Sequence, residues 1–509
     1  MEETVNVGVG SFPRRRAQVR PDSIAWEFEG AGTSYGEVAH RVDALASALQ
    51  AQGVRGGDRV AYVGFNHPAL LEVFFAANLA GATCVLVNPR LAEEEVRFIL
   101  QDCGARVSVF GSEQVALANA LPEVTRWVGV ERVASDTVAG DLESLIAAHR
   151  TSPPLVPAAA DDDVALIMYT SGTTGRPKGA MLTHRNLTYQ YLNALLSTDV
   201  RQDEVHLAVA PLFHIAGLNM MTLPSFMLGG RLIIHRAFRP DAVLSTIGRE
   251  GVTSSFMVPA MIDALAQHPD FGAARLGSLR SIMVGGSPLP ERSIRVWSER
   301  GVRIMQGFGM TETAPGVCLL DARDAEAKAG SAGRPHFFSE VRLVDPVSGR
   351  DVGVGQAGEV WVRGPQVMSG YWNRPEASAE ALAGGWYHSG DVAVRDIEGY
   401  FTIKDRLKDM YISGGENVYP AEVENALLNV PGVLEAAVVG VPDERWGESG
   451  CAFVVVAPGM GDVERVRIGL AQRLARYKLP RDIVVVAELP RTTTGKLRKS
   501  ELRGAHSSG

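Results

Sequence analysis

The chain has 509 residues, 46% of them hydrophobic and 21% charged. That length allows three or four folding units with well-filled cores, and the composition is that of a globular protein. The formal net charge of −8 excludes the basic excess of a nucleic-acid-binding protein.

Arg14, Arg15 and Arg16 form a basic run. It reads as a solvated segment, with weak attraction to a membrane surface as the sharper alternative. Cys84, Cys103, Cys318 and Cys451 lie in apolar surroundings without metal or C-x-x-C spacing, so reduced core cysteines are expected. The N-terminus lacks the apolar core of a signal peptide. The most apolar stretch, "LLEVFFAANLAGATCVLV", includes Glu72 and Asn78. It predicts a helix ending near Gly81 and then a buried strand, with no integral membrane segment. The cytoplasm is the expected location.

In chain order, "EVAHRVDALASALQAQGV" has apolar residues at helical spacing and stops at Gly53. Strand "DRVAYVGF", helix "PALLEVFFAANLAGA", strand "TCVLVN", helix "LAEEEVRFILQDCGA" and strand "RVSVF" follow. Such alternation predicts parallel sheets covered by helices. Strand "VALIMYT" leads into a Gly-rich loop, and "THRNLTYQYLNALL" reads as the helix after it. The βα pattern resumes in "VHLAVAPL", "GGRLIIH", "AVLSTIGREG", "VTSSFMVP", "MIDALAQH" and "LRSIMVGG". Residues 329–405 hold short strands such as "EVRLVD", "GEVWVRG" and "GYFTIKD", which predict a small β-rich subdomain. Within it "GVGQAG" has dinucleotide-fingerprint spacing but runs into a strand, so it reads as a turn. Beyond Asp405–Lys408, Pro420 opens helix "AEVENALLNV". Segments "VLEAAVVGV", "CAFVVVA", "VERVRIGLAQRLARY" and "IVVVAEL" complete an α+β unit of about a hundred residues.

Some of these segments carry chemistry. "YTSGTTGRPKGAM", Tyr169 to Met181, offers glycines that let a backbone approach an anion, hydroxyls at Thr170, Ser171, Thr173 and Thr174, and the cation of Lys178. It is not the G-x-x-x-x-G-K-S/T loop: counted from Gly172, the second glycine is Pro177, and Gly179 follows the lysine. "QGFGMTETAP" adds an aromatic ring at Phe308, a hydroxyl at Thr311 and a carboxylate at Glu312, which suits Mg²⁺ shared with phosphate oxygens. Asp391, after Gly390, and Arg406 could grip a ribose or a phosphate, or be surface charges. Lys496 in "LPRTTTGKLRKSEL" stands in a segment that, taken alone, reads as a disordered end.

Together and in this order, these clusters make the chain resemble the adenylate-forming superfamily of acyl-CoA synthetases, peptide-synthetase adenylation domains and beetle luciferases. The loop matches the superfamily's S-G-T-T-G-x-P-K-G signature. The resemblance implies an α/β fold. A large N-terminal domain, 1–404, would hold two βα-layered sheets plus a distorted β-barrel. A hinge at 405–408, centred on Lys408, would join it to a small mobile α+β C-terminal domain, 409–509. It also implies an ATP-dependent ligase that needs Mg²⁺, forms an acyl adenylate and passes the acyl group to coenzyme A. Its partners would then be a small carboxylic acid, ATP and coenzyme A, in a monomer or homodimer.

The resemblance assigns residues as well. Thr170, Ser171, Gly172, Thr173, Thr174, Gly175 and Lys178 would hold the β- and γ-phosphates, Thr311 the α-phosphate and Glu312 the Mg²⁺. Gly285, Gly286, Ser287, Gln306, Gly307 and Phe308 would surround adenine, and Asp391 and Arg406 the ribose. Lys496 would bridge the carboxylate and the α-phosphate. Gly414 and Gly415 would line the pantetheine tunnel, with Trp446 and Tyr477 near the nucleotide of coenzyme A. Phe308, Ser389 and Ile412 depart from the residues common at those places.

The acyl pocket implied by the resemblance comprises "PLFHIAGLNMM", "FMVPAMI", "VGGSPLP" and "GMTETAPGVCLL", the last beginning at Gly309. Met220, Met221, Met257 and Met261 suit an adaptable apolar site, or are core. His214 is read either as a gate beside the substrate carboxylate or as a buried structural histidine. These segments have no arginine for a second carboxylate and no aspartate for an amino group, which disfavours dicarboxylic and amino acids. A medium- or long-chain fatty acid stands first, a hydroxycinnamate such as ferulate or coumarate second, and transfer to a carrier protein third.

Overall fold

Apolar runs of four to seven residues alternate with helices, and they fold into two sheets with parallel cores. The computed structural model describes residues 8–153, 155, 159–170, 177–287, 289–413, 416–443, 447–458, 463–471, 473–474, 476–491 and 497–507. The chain divides into two compact units, 1–341 with 362–387 and 342–361 with 388–509.

In the first unit one sheet runs Arg334–Pro335, Cys318–Leu320, Arg303–Phe308, Ser281–Val284, Ser254–Met257, Val205–Ala208, Arg231–Ile234, Ile24–Phe28, Ala31–Ser34. Its inner pairs are parallel and its outer ones antiparallel. The other sheet runs Gly370–Tyr371, Lys178–Thr183, Val164–Thr170, Thr83–Val87, Arg59–Val63, Ala105–Phe110, Arg126–Gly129, Val138–Asp141. It is parallel except for the two pairs involving Lys178–Thr183. That strand was missing from the sequence reading: the Gly-rich segment connects the two strands of a hairpin and does not lead straight into helix His184–Ser197.

Helix Pro68–Leu79 shows how the core is filled. Apart from Glu72 and Asn78 its sequence is apolar on every face, as a central helix requires, and every residue from Ala69 to Leu79 is buried. Proline at its first position and the His67 ring, which accepts from the Ala69 N–H at 3.0 Å, define its start. Its carboxylate, Glu72, meets Arg41 at 2.6 Å, and Arg41 also meets Glu143 at 2.5 Å. Removing Arg41 would leave a buried charge unpaired, a change that costs about 3–5 kcal/mol. Among the described residues no helix is long and apolar enough to cross a membrane. All four cysteines are buried and free, as expected. Arg14 is not solvated as expected: it is spent internally on Asp43 at 2.6 Å and on the Leu155 carbonyl at 2.6 Å.

The β-rich stretch is a four-stranded sheet, Glu340–Val344, Ala357–Arg363, Tyr387–Arg395, Phe401–Arg406, most of whose residues belong to the second unit. A further sheet comprises Glu416–Val418, Tyr411–Ser413, Gly447–Val456 and Val433–Asp443, with Asp482–Val485 on Gly447–Val456. Tyr411 is buried against the cross-strand pair Gly440 and Gly450, where a Cβ would stand only 2.5 and 2.4 Å from its atoms. The C-terminal helix Lys499–Ser507 is tied down by Lys499–Glu424 at 2.8 Å and Arg503–Asp409 at 3.0 Å.

The first unit also buries neutral histidines. Burial holds His184 and His336 down to about 4 and His206 down to about 3, against an ordinary 6.5. His206 bridges Ser254 Oγ at 3.0 Å and Thr222 Oγ1 at 3.2 Å. Between those values and 6.5 the unfolded chain binds more protons than the folded one, so stability must fall as pH drops through that window. Melting temperatures measured from pH 7 to 4 should fall progressively, and His206→Asn should shallow the slope. Identical slopes for the two proteins would contradict the assignment of His206.

Candidate active site

The base of the hairpin organises the first unit's polar cluster. Thr170 pairs with Lys178 across the two strands, and Tyr169 with Gly179. Tyr169 donates to Asp102 Oδ2 at 2.7 Å, and Arg374 holds Asp102 Oδ1 at 2.7 Å. Beyond strand Arg303–Phe308 the chain turns into a short 3₁₀ segment, Thr311–Thr313, which buries Glu312 to 8% exposure. Glu312 Oε1 accepts from the Tyr371 hydroxyl at 2.9 Å and from Thr170 Oγ1 at 3.4 Å. Its carbonyl accepts from the Met368 N–H at 2.8 Å. Lys178 Nζ lies 5.2 Å from the centre of the Tyr371 ring. Burial and then the Glu312 charge push the Tyr371 hydroxyl well above its ordinary value.

Thr170, Lys178 and Glu312, expected together, are therefore together. Tyr371 was missed; its signal would have been a lone "GY" in register with the hairpin, which nothing in the local sequence marks as a strand. Among the described residues no group of three or more His, Cys, Asp or Glu side chains could hold a metal ion. Glu312 fits the remaining mode, one carboxylate sharing Mg²⁺ with phosphate oxygens and water. Both of its side-chain hydrogen bonds among the described residues fall on Oε1.

The expected adenine shell comes from neighbouring parallel strands, with Val284 opposite Gln306. A Cβ on Gly285 would lie 3.3 Å from the Gly307 carbonyl oxygen, so Gly285 permits the close strand ends, whereas a Cβ on Gly307 would meet nothing nearer than 3.9 Å. Gly286 has φ of 91°, and Ser287 beside it is exposed. The Gln306 side chain is buried, and its Oε1 has no hydrogen-bond partner among the described residues. Phe308 and Thr311 are half-buried. Gly309 approaches the next turn so closely that a Cβ would fall 1.5 Å from the Pro315 carbonyl oxygen.

Met220 and Met221 lie on a π-helical segment, Gly217–Thr222, a wide turn often found at functional sites. They pack with Phe256, Met283, Met305 and Leu319. Thr222 Oγ1 donates to the Gly217 carbonyl at 2.7 Å, and Asn219 Nδ2 reaches the Ala314 carbonyl at 3.2 Å. Met257 takes the core alternative: the strand turns it away from Phe256, into the core with Val209 and Ile282, and Met261 packs against that same core. His214 is half-buried, its ring 4.7 Å from Phe213, on the turn closed by its N–H to the Pro211 carbonyl at 3.1 Å.

In the second unit Asp391 and Arg406 are cross-strand partners, and their side chains meet at 3.2 Å. Asp391 is buried while Arg406 is half exposed. Gly390, at φ 69°, donates its N–H to Glu359 Oε1 at 3.0 Å, which fixes the turn before Asp391. Lys408 is exposed, and Ile412 lies exposed on strand Tyr411–Ser413. Ser171, Gly172, Thr173, Thr174, Gly175, Gly414, Gly415, Trp446 and Lys496 lie outside the described residues, as does the Tyr477 side chain.

The sequence matches the AMP-binding enzyme family over residues 13–372 and the AMP-binding enzyme C-terminal domain over 422–496. It is 50% identical to a feruloyl-CoA synthase of Amycolatopsis sp., over 98% of this chain and 99% of the relative. It is 37% identical to a long-chain-fatty-acid–CoA ligase of Mycobacterium tuberculosis, over 98% and 99%. The fold matches the o-succinylbenzoate coenzyme A synthetase of Bacillus subtilis, solved in complex with ATP and a magnesium ion. That match has a TM-score of 0.85 at 30% identity and covers 97% and 99% of the two chains.

The contact at Gly309 can be tested. Gly309→Ala drives a Cβ into a backbone carbonyl and should cost about 2–3 kcal/mol or more. Gly277→Ala, with nothing within 4 Å, should change stability by less than about 0.5 kcal/mol. Urea unfolding of both variants checks this, and equal midpoints would refute the close approach.

Proposed function

This chain belongs to the AMP-binding enzyme family and is an AMP-forming acyl-CoA ligase; from that premise we propose that its acid is a hydroxycinnamate-type aromatic carboxylate, ahead of a medium- or long-chain fatty acid. The observation that carries the proposal is that Met220, Met221, Met283 and Met305 share one cluster with Phe256. Thioethers adapt to irregular shapes and favour contact with aromatic rings. The 50% identity to a feruloyl-CoA synthase, against 37% to a fatty-acid ligase, supports the same order. The enzyme would work in the cytoplasm, as a monomer or homodimer.

A carboxylate is a poor acylating agent, because its carbonyl is shielded by charge and would have to expel oxide. In the proposed first step a carboxylate oxygen attacks the α-phosphorus of ATP. The bond to the β-phosphate's bridging oxygen breaks, pyrophosphate leaves with that electron pair, and an acyl adenylate remains. Such chemistry depends on positioning and charge stabilisation. The hairpin segment from Thr170 to Lys178 holds the β- and γ-phosphates, and Thr311 orients the α-phosphate. Glu312 would hold Mg²⁺, which neutralises phosphate charge. Gly285, Gly286, Ser287, Gln306, Gly307 and Phe308 form the adenine slot, with Asp391 and Arg406 at the ribose.

Lys496 places its ammonium between the acid and the α-phosphate, a role that contributes about 3 kcal/mol or more to the transition state. His214 stands beside the substrate carboxylate, and Gly309 borders the acyl group. In the second step the thiol of coenzyme A, having given up its proton, attacks the acyl carbon, and AMP leaves. Gly414 and Gly415 make way for the pantetheine arm, while Trp446 and Tyr477 meet the nucleotide. Residues 405–408, around Lys408, form the hinge between a domain ending at 404 and one beginning at 409.

Measuring kcat/KM for ferulate, coumarate, octanoate and palmitate tests the acid. The aromatic acids should lead by at least about tenfold, and a lead for palmitate would overturn the assignment. Acid-dependent exchange of pyrophosphate into ATP tests the residues. Lys496→Ala should abolish exchange yet spare thioester formation from supplied acyl adenylate, whereas Gly415→Leu should do the reverse. Equal loss of both half-reactions in either variant would remove that residue from its step.

A further inference from the structure

The Tyr371 side chain lies between two groups of opposite charge. Its place is fixed at the backbone: Gly370 and Tyr371 pair with Met181 and Ala180 of the hairpin. The Tyr371 N–H donates to Ser378 Oγ at 2.8 Å, and that hydroxyl donates to the Arg374 carbonyl at 2.7 Å. From this position the phenol donates to Glu312 Oε1 at 2.9 Å, while Lys178 Nζ lies 5.2 Å from the centre of the ring. A lysine and a buried carboxylate that met directly would form an ion pair and satisfy each other. The tyrosine interposes a hydrogen bond on one side and an aromatic face, attractive to cations, on the other. Each charge is held in place without being cancelled by the other.

We infer that Tyr371 is a positioning residue for the metal–nucleotide complex. Its hydroxyl fixes the Glu312 carboxylate with Oε2 turned to the metal, and its ring keeps Lys178 available to the phosphates. The inference rests on the reading of Glu312 as the Mg²⁺ carboxylate and Lys178 as the phosphate cation. It goes beyond that reading by naming what keeps the two apart.

Equilibrium binding of ATP, with no acid and no coenzyme A, tests it without turnover. Affinity is measured in Mg²⁺ and again in EDTA for the wild type, Tyr371→Phe, Tyr371→Leu and Glu312→Gln, with melting temperatures alongside. Tyr371→Phe keeps the ring and loses the hydrogen bond to the Glu312 carboxylate together with the hydroxyl's bond to Tyr387. It should cut the gain in affinity due to Mg²⁺ by about tenfold and leave affinity in EDTA within about twofold. Tyr371→Leu, lacking the ring as well, should also weaken binding in EDTA. A gain lost in Glu312→Gln but intact in Tyr371→Phe overturns the inference alone. A gain that survives in Glu312→Gln overturns the reading of Glu312 beneath it. Equal weakening of Tyr371→Phe in both solutions makes the hydroxyl structural and overturns the inference too.

Discussion

A buried carboxylate without a counter-charge is the constraint around which the first unit's polar cluster is arranged. Glu312 is 8% exposed and forms no ion pair among the described residues. Taking a charge out of water costs several kcal/mol unless it is paired and hydrogen-bonded. Two hydroxyls, on Tyr371 and Thr170, meet only part of that need. Elsewhere the same unit pairs its buried acids outright: Glu72 with Arg41 at 2.6 Å and Glu204 with Arg280 at 2.5 Å. Glu312 is treated differently, and a carboxylate left short of positive charge suits a divalent cation that arrives with its phosphates.

The hairpin explains where the nearby positive charge comes from. Many phosphate sites use a helix N-terminus, whose free N–H groups and dipole favour anions. Here six residues, Lys178–Thr183, separate the Gly-rich segment from helix His184–Ser197. That helix also satisfies donors at its own start: Thr183 Oγ1 accepts from the Asn186 N–H at 3.2 Å, and Asn186 Oδ1 accepts from the Thr183 N–H at 2.8 Å. Lys178, the first residue of that strand, sets a side-chain cation beside Tyr371, the residue that holds Glu312. Asp102, holding both Tyr169 and Arg374, stiffens the same hairpin from its other side.

Long periodic segments were the legible part of this chain. Helices such as Tyr35–Ala51 and Glu93–Cys103 and the apolar parallel strands follow from periodicity and length alone. Strand Lys178–Thr183, "KGAMLT", mixes small and polar residues and is specified by its partner, not by its own pattern. A two-residue strand at Gly370–Tyr371 carries no periodic signal at all, so Tyr371 could only be found in three dimensions. Composition did not separate Met220 and Met221 from Met257. Only the pleat of Ser254–Met257, which turns Phe256 and Met257 to opposite faces, does so. The motifs were legible for the opposite reason, because each needs particular residue types at fixed spacing.

That same pleat gives the site its order. Strand Arg303–Phe308 sends Met305 into the cluster with Met220 and Phe256, carries Gln306 through Phe308 along the expected adenine edge, and ends just before Glu312. At about 3.3 Å per residue, Met305 and Phe308 stand about 10 Å apart along the strand. Met305, Gln306 to Phe308 and Glu312 are thus spaced by one element whose register is set by Val284 and Leu320 on its two sides. An adaptable thioether thus lies in the middle of the strand, within the methionine cluster, and a hydrogen-bonded carboxylate lies just past its C-terminal end.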